Sequence, residues 1–179
     1  MTDYPLKAER PDLDFPALFE QCVELVYRYH LARTGDVEAA EDLTAETYRA
    51  ALEERGGYLS EDGPPAAWLA AIARRTLADY LRRGYRGRAQ PVRPAPWNAS
   101  SGPALAEAMR LLEMARVAQI LRAMPTIQAE AVALHFFAGL ELPDLAAALE
   151  RSEETIKKLA QRGLAALHER LLSAREVKR

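Results

Sequence analysis

A chain of 179 residues, 49% hydrophobic and 28% charged, has room for one domain or two small ones and a composition that excludes disorder. Its formal net charge of −2 hides two opposed blocks: residues 36–62 hold nine acids against Arg49 and Arg55, and residues 71–93 hold seven arginines against Asp79. The single Cys22 excludes a disulfide framework, and with neither a signal peptide nor an apolar run near 18 residues the expectation is a cytoplasmic protein without membrane insertion.

The periodicity is helical throughout. There is no period-2 alternation, no cluster of β-branched residues and no internal repeat, so the fold class expected is all-α. The first helix, 15–33, carries Leu18, Cys22, Leu25 and Tyr29 as a core stripe. Gly35 stops it in the left-handed conformation, and Asp36 caps a second helix over 36–54. Glycines and prolines at Gly56-Gly57 and Gly63-Pro64-Pro65 bracket a loop, and a third helix runs over 65–83.

Residues 84–103 contain Gly84, Gly87, Pro91, Pro94, Pro96, Gly102 and Pro103 without apolar periodicity, which is linker chemistry. Extended at about 3.3 Å per residue, such a linker reaches roughly 66 Å. The expectation is therefore two small helical domains, 1–83 and 104–179, free to touch separate places. The second domain divides into helices over 104–124, 126–138, 143–150 and a last one capped by Ser152, with Gly139 as a stop between the second and third. The short helix, tight turn and long helix at its end form a helix-turn-helix pattern.

Three faces carry chemistry. In the second helix Glu38, Asp42, Glu46 and Glu53 recur at helical spacing, an arrangement that costs about 0.2–0.5 kcal/mol for each like-charge pair. The face is either simply solvated or a dock for a basic partner helix, with Leu43, Thr47 and Tyr48 adding contact area. In the third helix Ile72, Ala73, Thr76, Leu77, Tyr80 and Leu81 form the packed arc. Arg75, Asp79 and Arg82 project from the other side, flanked by Arg74 and Arg83. Trp68 falls on the polar side as well. It either tucks into the core or joins the arginines in holding phosphates and stacked bases. In the last helix Ile156, Leu159, Ala160, Gly163 and Leu167 share an apolar arc, opposite Lys157, Lys158, Gln161 and Arg162, a face suited to the DNA major groove. Ser152 and Thr155 lie at that helix's N-terminus, where phosphate binds well.

Nothing in the sequence suggests catalysis. His30, His135 and His168 are scattered and lack metal-ligand spacing, and there is no phosphate-cradling glycine loop or nucleophile elbow. No enzyme activity, cofactor or metal is expected.

In order, an acidic helix, a loop, a Trp-headed basic helix, a linker and a helix-turn-helix resemble a bacterial RNA polymerase sigma factor of the extracytoplasmic-function group. Ala40-Glu41-Asp42-Leu43-Thr44-Ala45-Glu46-Thr47-Tyr48 is similar to the family's core-binding segment. Ala67-Trp68-Leu69, Ile72-Ala73-Arg74 and Asp79-Tyr80-Leu81-Arg82-Arg83 resemble its −10 helix. Met124-Pro125, Glu130, Phe137-Ala138-Gly139-Leu140, Ser152 and Thr155-Ile156-Lys157 resemble its −35 reader. The chain departs from the pattern at Glu150 and Glu154, often Gly in the family, and at Leu159-Ala160, often Arg-Leu after the lysine.

The resemblance implies a dissociable initiation subunit whose partners are core RNA polymerase and promoter DNA, with an anti-sigma factor as a further partner that the family allows. Glu38, Asp42, Leu43, Glu46 and Thr47 would meet the polymerase. Trp68, Arg74, Arg75, Asp79, Arg82 and Arg83 would meet the −10 element, with the loop between Glu54 and Pro64 as a wall of its pocket. Ser152, Thr155, Lys157, Lys158, Gln161 and Arg162 would meet the −35 element. The alternative is a helix-turn-helix regulator that never joins polymerase.

Overall fold

A computed structural model describes residues 14–58, 63–84 and 102–176, and every regular element among them is helical. The Asp14 carboxylate accepts the Ala17 N–H at 3.0 Å and opens α1 (Phe15–Thr34). Gly35 closes it at φ +68°, sending its N–H to the Leu31 carbonyl at 2.8 Å. One residue on, Asp36 caps α2 (Val37–Glu54) by accepting from Ala39 N at 3.1 Å. A 3-10 turn, Arg55–Gly57, ends it, and α3 (Pro65–Gly84) begins on a proline whose missing donor costs nothing there.

The second half holds α4 (Gly102–Arg122), α5 (Thr126–Val132), α6 (Leu142–Ala148) and α7 (Glu153–Glu176). α5 runs on into one π-helical turn, Ala133–Phe137, where the Ala138 N–H reaches the Ala133 carbonyl at 2.9 Å before Gly139 turns the chain at φ +83°. Three expected boundaries move by two residues, one of them the end of α4, which stops at Arg122 rather than at residue 124. α4 starts at Gly102, so Pro103 sits in its first turn rather than in the linker; residues 85–101 of that linker lie outside the described residues. α6 stops at Ala148 rather than at residue 150, because Glu150 takes the left-handed conformation, φ +52°. A side chain there is strained by roughly 1 kcal/mol. Glu150→Gly should therefore raise the melting temperature by about 2–4 °C in a chain of this size, measured by circular dichroism; an unchanged or lower value would show that Glu150 has a stabilising contact that offsets the strain.

α1, α2 and α3 pack as one unit around Leu18, Val26, Leu43, Leu69, Ile72 and Leu77. Tyr80, expected in the packed arc of α3, is instead 41% exposed. α5, α6 and α7 close around Val132, Leu145, Ile156, Ala160 and Leu167. The two halves are not held apart as a long linker suggested: α4 lies against α1 as well as α7, and α6 lies on α3. The contact is close at Gly35, where an added Cβ would stand 2.7 Å from the Ala115 Cα and 2.9 Å from the Ala118 Cβ. Glycine at that turn thus serves its positive φ and the approach of α4 at once.

Candidate nucleic-acid and protein interfaces

The outer face of α2 is acidic as expected. Glu38, Glu41, Asp42 and Glu53 are exposed and Glu46 is half-buried. Arg49 bridges Glu46 and Glu53, the latter at 2.6 Å, and its hydrogen bonds hold the Glu46 carboxyl below the usual carboxylate range. Glu38, Glu41 and Asp42 have no such partner among the described residues, so the negative field is concentrated at the N-terminal half of the helix.

Leu43 and Thr47 are not available as contact area, and Tyr48 is only 7% exposed. All three are buried, because they are the face of α2 that packs on α1 and α3. Thr47 Oγ1 donates to the Leu43 carbonyl at 2.8 Å and lies 3.0 Å from His30 Nε2, and the Tyr48 ring meets Phe19 edge-on at 4.7 Å. The apolar surface beside the acidic stripe comes instead from an open groove of about 370 Å³ between α1 and α2. It is lined by Phe19, Val23, Tyr27, Ala45 and Tyr48, with Glu24 and Glu41 beside them. The sequence reading missed this groove; Phe19, exposed and off the core stripe of α1, is the signal that could have found it.

On α3, Arg75, Arg82 and Arg83 are exposed as expected. Arg75 is tied to Glu54, and Arg82 to Asp79 at 2.6 Å. Trp68 meets both of its alternatives halfway. It is half-buried, with its ring 5.2 Å from that of Tyr58, whose hydroxyl donates to the Gly63 carbonyl at 2.7 Å. Residues 59–62 of the loop beside it are outside the described residues.

Arg74 departs from expectation. It does not project beside Arg75; its Nη1 donates to the Ala148 carbonyl at 2.7 Å and its Nε lies 3.3 Å from the Glu130 carboxylate. Both partners belong to the other half of the chain.

The helix-turn-helix matches the arcs read from the sequence. Ile156, Ala160, Gly163 and Leu167 are buried and Leu159 half-buried, whereas Thr155, Lys157, Lys158, Gln161 and Arg162 are exposed together. The Ser152 hydroxyl accepts from Thr155 N at 3.4 Å and lies 2.8 Å from the Thr155 hydroxyl, closing the first turn. Lys158 pairs with Glu154 at 2.6 Å, while Lys157 and Arg162 make no ion pair among the described residues.

A buried polar cluster went unseen in the sequence. Glu130, 5% exposed on α5, accepts from the Tyr29 hydroxyl at 2.7 Å and lies 3.4 Å from Arg33 Nη2 as well as beside Arg74. Burial and the carboxylate together push the Tyr29 hydroxyl well above its ordinary pKa. The signal was present: one carboxylate inside the apolar run 129–134 requires a buried partner.

Among the described residues there is no group of acidic, His and Cys side chains that could hold a metal ion, and no helix long and apolar enough to cross a membrane.

Two family models match the chain, Sigma-70 region 2 over residues 18–87 and Sigma-70, region 4 over residues 114–167. The chain is similar to the ECF RNA polymerase sigma factor BldN of Streptomyces coelicolor, 31% identical over 155 residues that cover 86% of this chain and 58% of that protein. It is also similar to the ECF RNA polymerase sigma factor SigD of Mycobacterium tuberculosis, 30% identical over 156 residues that cover 84% of this chain and 73% of that one. Its fold is similar to that of CnrH, solved in complex with the cytosolic domain of CnrY. The TM-score is 0.66 and the identity 24%, over 89% of this chain and 88% of that one. The sigma factor RpoE of Bartonella quintana, solved with the anti-sigma factor NepR, gives 0.61 and 20%, over 88% and 96%.

Proposed function

The chain belongs to the extracytoplasmic-function group of sigma-70 RNA polymerase sigma factors, and we propose that it is a non-enzymatic initiation subunit acting in the cytoplasm. It joins core RNA polymerase, reads the −35 duplex with the outer face of α7 and opens the −10 element with the basic side of α3. The observation that carries this reading is the segregation of charge by element. The exposed acids of α2 and the exposed bases of α3 and α7 stand on separate helices, as a protein partner and a DNA partner require. A regulator that bound only DNA would have no use for the acidic stripe.

Each DNA surface has its own physical logic. Gln161 on the open face of α7 suits an adenine edge, a bidentate pair worth roughly 1–3 kcal/mol of discrimination, with Lys157 and Arg162 on phosphates. On α3, Arg75, Arg82 and Arg83 supply charge, and the edge of Trp68 beside Tyr58 supplies a stacking surface for an unpaired base. An anti-sigma factor, the kind of partner present beside RpoE of Bartonella quintana, would compete for the α2 face and its neighbouring apolar groove.

The α2 assignment is tested by charge reversal. A chain carrying Asp42→Lys and Glu46→Lys should keep its helical circular dichroism and fail to co-elute with core polymerase in gel filtration. Co-elution at the wild-type level would remove that face from the interface.

A further inference from the structure

We propose that Glu154 and Lys158 read one G·C base pair of the −35 duplex as a unit, a role that rests on α7 lying in the major groove of that duplex. Glu154 accepts from the cytosine amino group, and Lys158 donates to the guanine paired with it. Glu154 thereby sets specificity at one base pair and weakens binding to every other sequence.

Both side chains stand on the part of α7 that faces a groove floor. Ile156, Ala160, Gly163 and Leu167 form the buried side of the helix. At about 100° per residue, Glu154, Lys158 and Ala165 lie within roughly 30° of the direction opposite that side. Gln161 and Arg162 lie roughly 50° to either side, and Lys157 about 90° away at one margin. All six are exposed. In a groove, the middle of such a face meets base edges and its margins meet the two phosphate walls. Glu154 is also the second residue of α7, and the N-terminal residues of a recognition helix are the ones that contact bases.

A carboxylate in that place is repelled by the phosphates unless it finds a donor. The only donors on the major-groove base edges are the amino groups of cytosine and adenine. Lys158 Nζ stands 2.6 Å from the Glu154 carboxylate, with the two side chains 61% and 79% exposed. An ion pair so open to solvent adds little to helix stability. It does set a donor beside an acceptor, the complement of a G·C edge: cytosine N4 for the carboxylate, guanine O6 and N7 together for the ammonium. An A·T pair divides its acceptors between adenine N7 and thymine O4 and adds the thymine methyl, so the ammonium meets one acceptor instead of two. A carboxylate that faces the wrong edge loses water and gains no partner, which penalises wrong sites. Gln161 follows Glu154 by two helical turns, about 11 Å of axis and about three base steps. The G·C pair therefore belongs within about three steps of the adenine assigned to Gln161.

The test is selection from a duplex pool randomised over about two helical turns, by the full chain alone and by the full chain with core RNA polymerase. The wild type should enrich a G·C pair at one position. E154A should lose about tenfold of that preference and keep its preferences elsewhere. It should also bind a mixed-sequence duplex more tightly, with about one more unit of salt slope, because Lys158 is released to a phosphate. E154Q should turn the cytosine preference toward adenine, since an amide pairs with adenine N6 and N7. K158A should weaken the preference at the same base pair. A capping or dipole role for Glu154 would instead change affinity for all sequences alike and move no preference. Identical selected sequences from wild type and E154A would overturn the proposal, as would a wild type that enriches no G·C pair. A chain whose Glu154-dependent G·C preference is seen without polymerase, and which gives no initiation with it, would refute the initiation role and still support the base readout.

Discussion

Gly163→Val should cost the chain about 2–3 kcal/mol, a fall of roughly 4–12 °C in melting temperature, and should abolish −35 binding before it abolishes folding of the first half. A Cβ added at Gly163 would stand 2.6 Å from Val132 Cγ2 and 3.2 Å from the Gln128 carbonyl oxygen. Neither can yield cheaply. Val132 is fully buried and stiff at χ1, and the carbonyl belongs to the backbone of α5. α7 must therefore move away from α5, carrying Lys157, Gln161 and Arg162 out of register with α6. A gain of about 0.3 kcal/mol from replacing glycine by valine, itself a poor helix former, opposes the strain without cancelling it. Calorimetry and a salt-controlled DNA titration check the two halves of the statement; a melting temperature equal to wild type would mean that α5 and α7 are less tightly apposed than this.

The second large effect is loss of stability in mild acid through His30. Its ring is buried between α1 and α2, and burial lowers its pKa from 6.5 to about 3. The Thr47 hydroxyl lies 3.0 Å from His30 Nε2, and the buried Nδ1 has no hydrogen-bond partner among the described residues. Placing a proton on Nδ1 would add a buried charge and a buried donor together. Above about pH 6.5 neither the folded nor the unfolded chain protonates His30, and its contribution is fully present. As pH falls below 6.5 the unfolded chain takes up a proton that the folded chain refuses until near 3. Stability should drop by about 1.4 kcal/mol per pH unit over that window. Urea titrations at pH 7.5 and 5.5 should differ by roughly 1.4 kcal/mol in wild type and by less in His30→Gln. Equal wild-type stabilities at the two values would show that the ring is reached by water.

The local grammar of this chain was legible and its long-range packing was not. Asp36 after Gly35, Ser152 before Thr155, and the opposed arcs of α7 all follow from capping preference and a 3.6-residue period, which are properties of short windows. The α2 face was half legible. Its acids were placed outward correctly, but Leu43 and Thr47 were lent to a partner because periodicity gives faces and not which neighbour covers them. Arg74 and Tyr80 were misplaced for the same reason. Arg74 lies where α6 covers α3, and nothing in the third helix announces a neighbour more than seventy residues away. His30, Arg33 and Thr34 are buried at the end of α1, where the turn into α2 meets α4. The clue to that contact was in α4. Val117, Ala118 and Leu121 are buried and Met114 and Ile120 pack partly buried beside them, so its covered apolar arc is wide, as on a helix packed between two neighbours.

The central claim, that this chain directs core polymerase to promoters, is tested most directly by run-off transcription on fragmented genomic DNA with core RNA polymerase, with and without the protein. The account predicts new start sites that share a two-part upstream element, with the −35 part lost on altering Gln161. No new starts, from a protein that still binds DNA by itself, would contradict it and make the chain a regulator that does not join polymerase.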